Sequence, residues 1–563
     1  MQAPAHDEVG TIIKSWRGRK RVVLVYPNRY SIGITNLGFQ TVYRLLNQID
    51  EVVCERAFLP PPAVAAKRGV RSVESQRALA DFDIIAFSIS FENDYPHVLK
   101  ILDQAGLPLR WVRRDETFPL VIAGGVACGL NPEPLAPFVD CFFIGEAEAH
   151  LVDFMAQFDA GHDRESLLLD SAGSLKGVYA PRFYQPDYDS QGLLTGFAPN
   201  AGLADRVQKV YPSDLTQIDT HSAITTPLSV FDAPFLVEIG RGCPRGCRFC
   251  TAGFIYRPPR FRPAQKVVSC VLQAGRTADK IGLVGAAIAD HPEIDDICRQ
   301  LLENGVKMAF SSLRADALTP QLIKSLRQSG VQTATIAPDA GSERLRRVIN
   351  KGLEEEQILE AARVLVSEGI PNLKLYFMVG LPTETMQDVE AIVMLCKRIK
   401  HGFLATSRTR DHMGTISVSL NCFVPKPFTP FQWAAMDTVA ALKRKLKHVR
   451  GGLARVANVQ VHTDVPRWAR IQALLARGDR RVADLLELNL KRDGNWPQTF
   501  KEAPLNADFF VHRERPATER FPWDFIDHGI KKSYLYREYQ KALTGELSAV
   551  CEVDTCRRCG VCV

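Results

Sequence analysis

No apolar run in this 563-residue chain reaches the roughly 18 residues that a membrane span requires. Residues Met1 to Arg21 contain no apolar signal core either. No membrane partner is therefore expected, and the expected compartment is the cytoplasm. An excess of one charge is also missing. Seventy Lys and Arg against 63 Asp and Glu leave a formal +7, which permits an acidic partner without demanding one. Histidine, at 12, is too thinly spread to suggest a ligand set. Cysteine is not scarce: there are fourteen, half of them in two tight groups. In a cytosolic chain that pattern argues for metal and against a disulfide framework. With 46% apolar and 24% charged residues the composition is that of an ordinary globular protein, and the length suggests roughly three or four domains.

Apolar runs at Arg21–Pro27, Ile84–Ser90, Leu120–Gly125 and Cys141–Gly145 alternate with helical patterns at Gly38–Asn47, Tyr95–Ala105 and Glu146–Phe158. Such alternation predicts an open, doubly wound α/β sheet (Rossmann-like) over residues 1–160, with functional loops at the carboxyl ends of its strands. Residues 161–232 are scattered with Pro, Gly, Ser and Asp and read as a connector. A second α/β run occupies 233–470, with strands expected at 281–284, 307–311, 333–337, 373–378 and 416–420. Helices lie between them at 292–304, 319–329, 354–368 and 385–399. Repeats of this kind predict a full or partial (β/α) barrel with its chemistry at the carboxyl ends of the strands. Residues 471–563 form a C-terminal region ending in a small cysteine-rich tail.

The first cysteine group follows the strand Phe235–Ile239 as Gly242-Cys243-Pro244-Arg245-Gly246-Cys247-Arg248-Phe249-Cys250. Glycines let such a loop fold tightly and point three thiolates at one centre. Three ligands are one short of four. On a cubane iron–sulfur cluster, that leaves one iron open to a substrate or cofactor. Structural zinc is the competing reading, but no fourth Cys or His lies nearby to close a tetrahedron.

The CxxxCxxC spacing, the aromatic Phe249 before the third cysteine and the barrel that follows resemble the radical S-adenosylmethionine (radical SAM) superfamily. The N-terminal sheet resembles the cobalamin-binding-type domain of one branch, with Gly124-Gly125, Asn131-Pro132-Glu133 and Gly145-Glu146-Ala147-Glu148 in place. More narrowly, residues 31–40, Cys54-Glu55-Arg56, residues 337–342 and residues 423–433 resemble a bacterial subgroup of that superfamily. Two positions depart from the subgroup: Phe428 stands where His is expected, and Asp339 where Glu is. The Asp-x-His-x-x-Gly signature that supplies a cobalt ligand in many cobalamin domains is absent after the first strand, where Asn28 to Gly33 stands instead.

The resemblance implies a [4Fe–4S] cluster on Cys243, Cys247 and Cys250, with the amino and carboxylate groups of S-adenosylmethionine on the fourth iron. Reductive cleavage of the sulfonium would release a 5′-deoxyadenosyl radical that takes hydrogen from carbon. An external electron donor of flavodoxin or ferredoxin type is implied, with cobalamin as a further candidate cofactor. The resemblance also nominates Phe249, Gly285, Asp290, Ser312, Arg314, Asp339, Ser342, Arg346 and Gly380 as cofactor contacts. Each of these has a plain alternative as a capped turn or an ion pair, so they stand as a set. No catalytic residue is nominated, and the substrate is left unassigned, with methylation, sulfur insertion and rearrangement as candidate reactions. A non-catalytic iron–sulfur electron-transfer or scaffold protein and a zinc-stabilised binding module are the alternatives.

The second group, Cys551, Cys556, Cys559 and Cys562, places four thiolates within twelve residues. That suffices for an auxiliary iron–sulfur cluster or a closed zinc site. Arginines 241, 245, 248, 257, 260 and 262 crowd the first loop, where they are expected to offset the charge of a thiolate cluster. Lys443, Arg444, Lys445, Lys447 and Arg450 share a helix, read as a solvated face or a contact for RNA or another anionic polymer.

Overall fold

The computed structural model describes residues 7–562 except 160, 162, 201, 230–234, 275–279, 408–413 and 554. The boundary placed between 232 and 233 lies outside the described residues. Runs of β-branched and aromatic side chains build a six-stranded sheet: β1 Lys20–Tyr26, β2 Val52–Phe58, β3 Ile84–Ser88, β4 Leu120–Gly124, β5 Cys141–Phe143 and β6 Val178–Tyr179. The order is β2-β1-β3-β4-β5-β6. All neighbours run parallel except β6, which pairs antiparallel with β5. The strands are buried almost throughout, as a parallel sheet covered by helices on both faces requires. β6 lies inside the stretch read as connector. That stretch also carries an antiparallel pair, Tyr184–Tyr188 with Leu194–Pro199, and Val207–Gln208, which pairs with Ile526–Asp527 of the C-terminal region.

The second α/β unit has seven principal strands: β7 Phe235–Glu238, β8 Lys280–Val284, β9 Lys307–Ala309, β10 Thr333–Asp339, β11 Asn372–Val379, β12 Ile416–Cys422 and β13 Val459–Thr463. They form parallel sheets of three and four strands, joined by a parallel bridge between Leu313 and Ile336. This is the open (β/α) barrel arrangement. It places the ends of β8 and β10 near the loop that follows β7. Among the described residues no helix is long and apolar enough to cross a membrane.

One helix departs from its expected start. The pattern at Glu146–Phe158 becomes a 3-10 turn at Ala147–Ala149 and an α-helix only at Leu151–Gln157. Glu146 stays extended because its carboxylate is held between Arg241 and Arg260, and helix propensity is too weak to override such a tertiary pull.

Candidate active site

The cysteine loop is pinned at its base by an antiparallel pair, Gly240 with Phe261 and Arg241 with Arg260. Inside it the chain folds back on itself so closely that two positions exclude a side chain. A Cβ on Gly242, at φ +84°, would stand 2.6 Å from the Tyr256 carbonyl oxygen, and one on Gly253 would stand 2.7 Å from that of Arg245. Only glycine fits there. The Cys250 N–H donates to the Cys247 carbonyl at 3.0 Å. Cys247 is buried, and Cys243 and Cys250 are half-buried. Burial pushes the Cys243 thiol up to about 12, and Cys247 and Cys250 push the same way. Three thiols so placed ionise together only beside concentrated positive charge, which the irons of a cluster supply.

Among the described residues no three His, Cys, Asp or Glu side chains close round a single metal ion. Cys247 and Cys250 act electrostatically on Cys243, and three thiols on one loop are the donor set of a cubane with one open iron, so the three cysteines fit the group that their spacing implies.

The nominated cofactor contacts separate into two sets. Asp290 faces the loop: Arg245 donates to its Oδ1 from Nε at 2.9 Å and from Nη2 at 2.5 Å, while its Oδ2 is buried without a partner. Arg314 donates to Asp316 and to the Lys351 carbonyl, each at 2.9 Å. Asp339, at the end of β10 with φ +63°, accepts from Lys351 Nζ at 2.6 Å. Arg314 and Lys351 are cations within electrostatic reach of Cys247. Gly285 closes β8 against Ile239, Phe249 packs on the core, and Ser312 is exposed.

In the second set the side chains are engaged elsewhere. Ser342 Oγ accepts from the Leu345 N–H as a helix cap and donates to Asp388 at 2.5 Å. The fully buried Arg346 holds the carbonyls of Gly341 and Leu353. Gly380, at φ +87°, donates its N–H to Glu384 at 2.7 Å.

The arginines round the loop mostly serve structure. Arg241 binds Glu146, Glu148 and Glu238; Arg245 binds Asp290; Arg248 binds Glu538; Arg260 binds Glu146; Arg262 binds Glu238. The expectation that they offset the cluster's charge is corrected for these five. Except for Glu238, three residues before Arg241, the acidic partners lie well away in sequence, so little local signal announced them. Lys445 likewise turns inward to Glu384 and Asp437, both at 2.7 Å, while Lys443, Arg444, Lys447 and Arg450 are exposed.

Between the N-terminal sheet and the cysteine loop lies a cavity of about 500 Å³. Its walls are mainly apolar, with Leu24, Ile122 and Phe143 from the sheet and Gly242, Ile255 and Gly285 from the barrel side. Three groups on its lining escaped the sequence reading because none belongs to a motif or a spacing pattern: His150, Lys209 and His528. Burial pushes Lys209 down to about 8, and its Nζ donates to the Ile255 carbonyl at 2.9 Å. His150 has no partner on either ring nitrogen, and burial pushes it down to about 4. His528 bonds the Gly129 carbonyl at 2.8 Å and packs edge-on against Phe428 with ring centroids 4.3 Å apart. Burial, then Lys209, push it down to about 3.

Both histidines are therefore neutral in the fold and protonate in the unfolded chain below about pH 6.5. Between there and pH 4 the unfolded state binds more protons, so stability falls as the pH drops. The loss is on the order of 3 kcal/mol for His150 at full effect. Urea midpoints measured across this range should fall with acidification. The slope should be shallower in His150→Phe, and equal slopes would show that His150 does not contribute.

Two family models match the chain: radical SAM proteins, N-terminal, over residues 38–181, and the radical SAM superfamily over residues 237–396. An uncharacterized protein of Methanocaldococcus jannaschii is 30% identical over 472 residues, covering 83% of this chain and 91% of its own length. An uncharacterized methyltransferase of Pyrococcus horikoshii is 21% identical over 304 residues, and the match covers 52% of this chain and 61% of that protein. The solved radical S-adenosylmethionine methyltransferase TsrM from Kitasatospora setae, with cobalamin and a [4Fe–4S] cluster bound, aligns over 71% of this chain and 75% of its own at 13% identity and a TM-score of 0.46. With the cysteine loop at the head of an open (β/α) barrel and both halves matched, the chain belongs to the radical SAM superfamily and is an enzyme that works with a [4Fe–4S] cluster and S-adenosylmethionine.

Proposed function

We propose that Cys243, Cys247 and Cys250 ligate the cluster, and that the enzyme transfers a methyl group to a substrate bound at the cavity between the sheet and the loop. The observation that carries this reading is a loop that bears three cysteines and holds Asp290 through Arg245 with one carboxylate oxygen left unpartnered, while its Gly242 and Ala252 line a largely apolar cavity. When bound, the cluster and S-adenosylmethionine supply one-electron cleavage of a carbon–sulfur bond.

This chain's own residues do the rest. Asp290, held by Arg245 on one oxygen, offers the other to the amino group of S-adenosylmethionine. Arg314 faces its carboxylate, and the Lys351–Asp339 pair keeps a cation beside Cys247. Apolar walls exclude water from the reacting centre. The cavity's apolar walls and its neutral His150 suit a corrinoid as methyl carrier, and the methyltransferase relative supports methylation, with sulfur insertion the second reading because methylthiotransferases are also among the relatives. An external flavodoxin- or ferredoxin-type protein is the electron donor.

Anaerobic reconstitution with iron and sulfide, then reduction with S-adenosylmethionine and hydroxocobalamin, tests both parts. 5′-Deoxyadenosine or S-adenosylhomocysteine is expected, with cobalt retained through gel filtration. Neither product would leave an iron–sulfur electron-transfer protein as the reading; products without retained cobalt would remove the corrinoid.

A further inference from the structure

The C-terminal cysteines do not hang free as a tail. Arg248, between two of the loop cysteines, is fully buried and reaches across to this segment, donating to Glu538 at 3.2 Å and to the Glu546 carbonyl at 2.7 Å. Asn350 clamps both pieces at once. Its Nδ2 donates to the Gly246 carbonyl at 3.0 Å and to the Ser548 carbonyl at 3.3 Å, and its Oδ1 accepts from the Ser548 N–H at 2.8 Å. Most directly, the Cys551 N–H donates to the carbonyl of Pro244 at 2.8 Å. One hydrogen bond therefore separates the backbone of a tail cysteine from that of the residue next to Cys243.

The four tail thiols face one another. Cys551 lies within electrostatic reach of Cys556, Cys559 and Cys562, and it contacts Cys556. Cys551 and Cys559 are buried. Arg558 Nε donates to Cys556 Sγ at 3.3 Å, and Arg257, just beyond the cysteine loop, lies against Cys559. Lys531 N–H donates to the Cys559 carbonyl at 2.9 Å, which anchors this turn to the start of the last helix.

From this juxtaposition we infer that Cys551, Cys556, Cys559 and Cys562 hold a second iron–sulfur cluster that relays electrons to the loop cluster across the Pro244–Cys551 hydrogen bond. The inference rests on the reading of Cys243, Cys247 and Cys250 as ligands of the first cluster. Four thiolates leave no open iron, so the second cluster suits electron transfer and not substrate binding. One electron leaves a reduced flavodoxin- or ferredoxin-type donor, rests at the tail group and passes to the loop group. The donor is oxidised by one electron, the loop group is reduced by one, and no proton moves. The two arginines beside the sulfurs stabilise the reduced, more negative state, since hydrogen bonds to the sulfurs raise a cluster's potential.

The unaltered protein gives the first test. After anaerobic reconstitution it should hold about eight irons and eight sulfides per chain, and its reduced EPR spectrum should be broadened by coupling between two neighbouring spins. Four irons with one zinc, or a spectrum equal to the sum of two isolated clusters, would overturn the proposal. A chain lacking Cys243, Cys247 and Cys250 should keep about four irons, unresponsive to S-adenosylmethionine. A response there would instead overturn the reading of the first cluster.

In a chain with all four tail cysteines replaced by serine, reduction of the loop cluster by flavodoxin should slow at least tenfold, while reduction by a small dithionite-type reductant continues. An unchanged flavodoxin rate would remove the relay. Arg558 is exposed but also holds the carbonyls of Ala549 and Val550 at 3.0 and 2.9 Å, so Arg558→Ala is read with its iron content shown to be complete. It should lower the midpoint potential of the tail cluster, and an unchanged potential would exclude Cys556 as a ligand.

Discussion

Replacing any one of Cys243, Cys247 and Cys250 with alanine should cut formation of 5′-deoxyadenosine by at least about a thousandfold, equivalent to more than about 4 kcal/mol of barrier. Alanine offers no sulfur, and the loop's two close backbone approaches, at Gly242 and Gly253, resist rearrangement round a new ligand. Iron content should fall with activity. Cys270→Ala is the control: this half-buried cysteine sits on the helix Ala264–Ala274, outside the loop, and should leave both readouts unchanged. Turnover that survived in a loop variant would sink the assignment of the cluster to these three residues.

The second large effect should come from Glu146→Ala, far from the cysteines in sequence. Glu146 is 8% exposed and accepts from Arg241 Nη1 at 2.5 Å and from Arg260 Nη1 at 3.1 Å. It thereby ties the loop after β5 to both strands at the base of the cysteine loop. Removing it leaves two buried guanidiniums short of a partner. Stripping one member from a buried ion pair typically costs about 3–5 kcal/mol, and a lower urea midpoint should report that loss. Glu146→Gln, which keeps the shape and one acceptor, should cost less. Because Glu146 also lines the cavity, the alanine variant should lose bound corrinoid before it unfolds. Equal midpoints for the wild type and Glu146→Ala would show that the network contributes nothing net.

Much of this architecture was legible in the chain itself. β1, β3, β4 and β5 are near-continuous apolar runs, the mark of strands buried on both faces, and the barrel strands lie within a few residues of their expected positions. The cysteine loop was legible because its pattern is local: three cysteines and the glycines that fold them lie within twelve residues, Gly242 to Gly253. The cavity groups were not. His150, Lys209 and His528 come from three distant segments, and a single basic residue outside any motif reads the same whether it faces a cavity or surface. Ser342 and Arg346 were nominated from a segment that does approach the site. A helix cap and buried carbonyls hold their side chains, and neither bond has a periodic signal.

The opposite case is the arginine cluster. Six arginines near three cysteines looked like compensation for thiolate charge, yet five of them are bound to Glu146, Glu148, Glu238, Asp290 and Glu538. By itself the sequence determined most of the parallel strands and the three-cysteine loop, because hydrophobic periodicity and cysteine spacing act over a few residues, and the radical chemistry followed from the family resemblance that those motifs carry. Only the tertiary structure decided which cations stay near the sulfurs, where the cavity lies and that the C-terminal cysteines sit against Pro244. Most of those are contacts between segments tens to hundreds of residues apart, set by tertiary packing and by the carboxylates that the packing carries to each guanidinium.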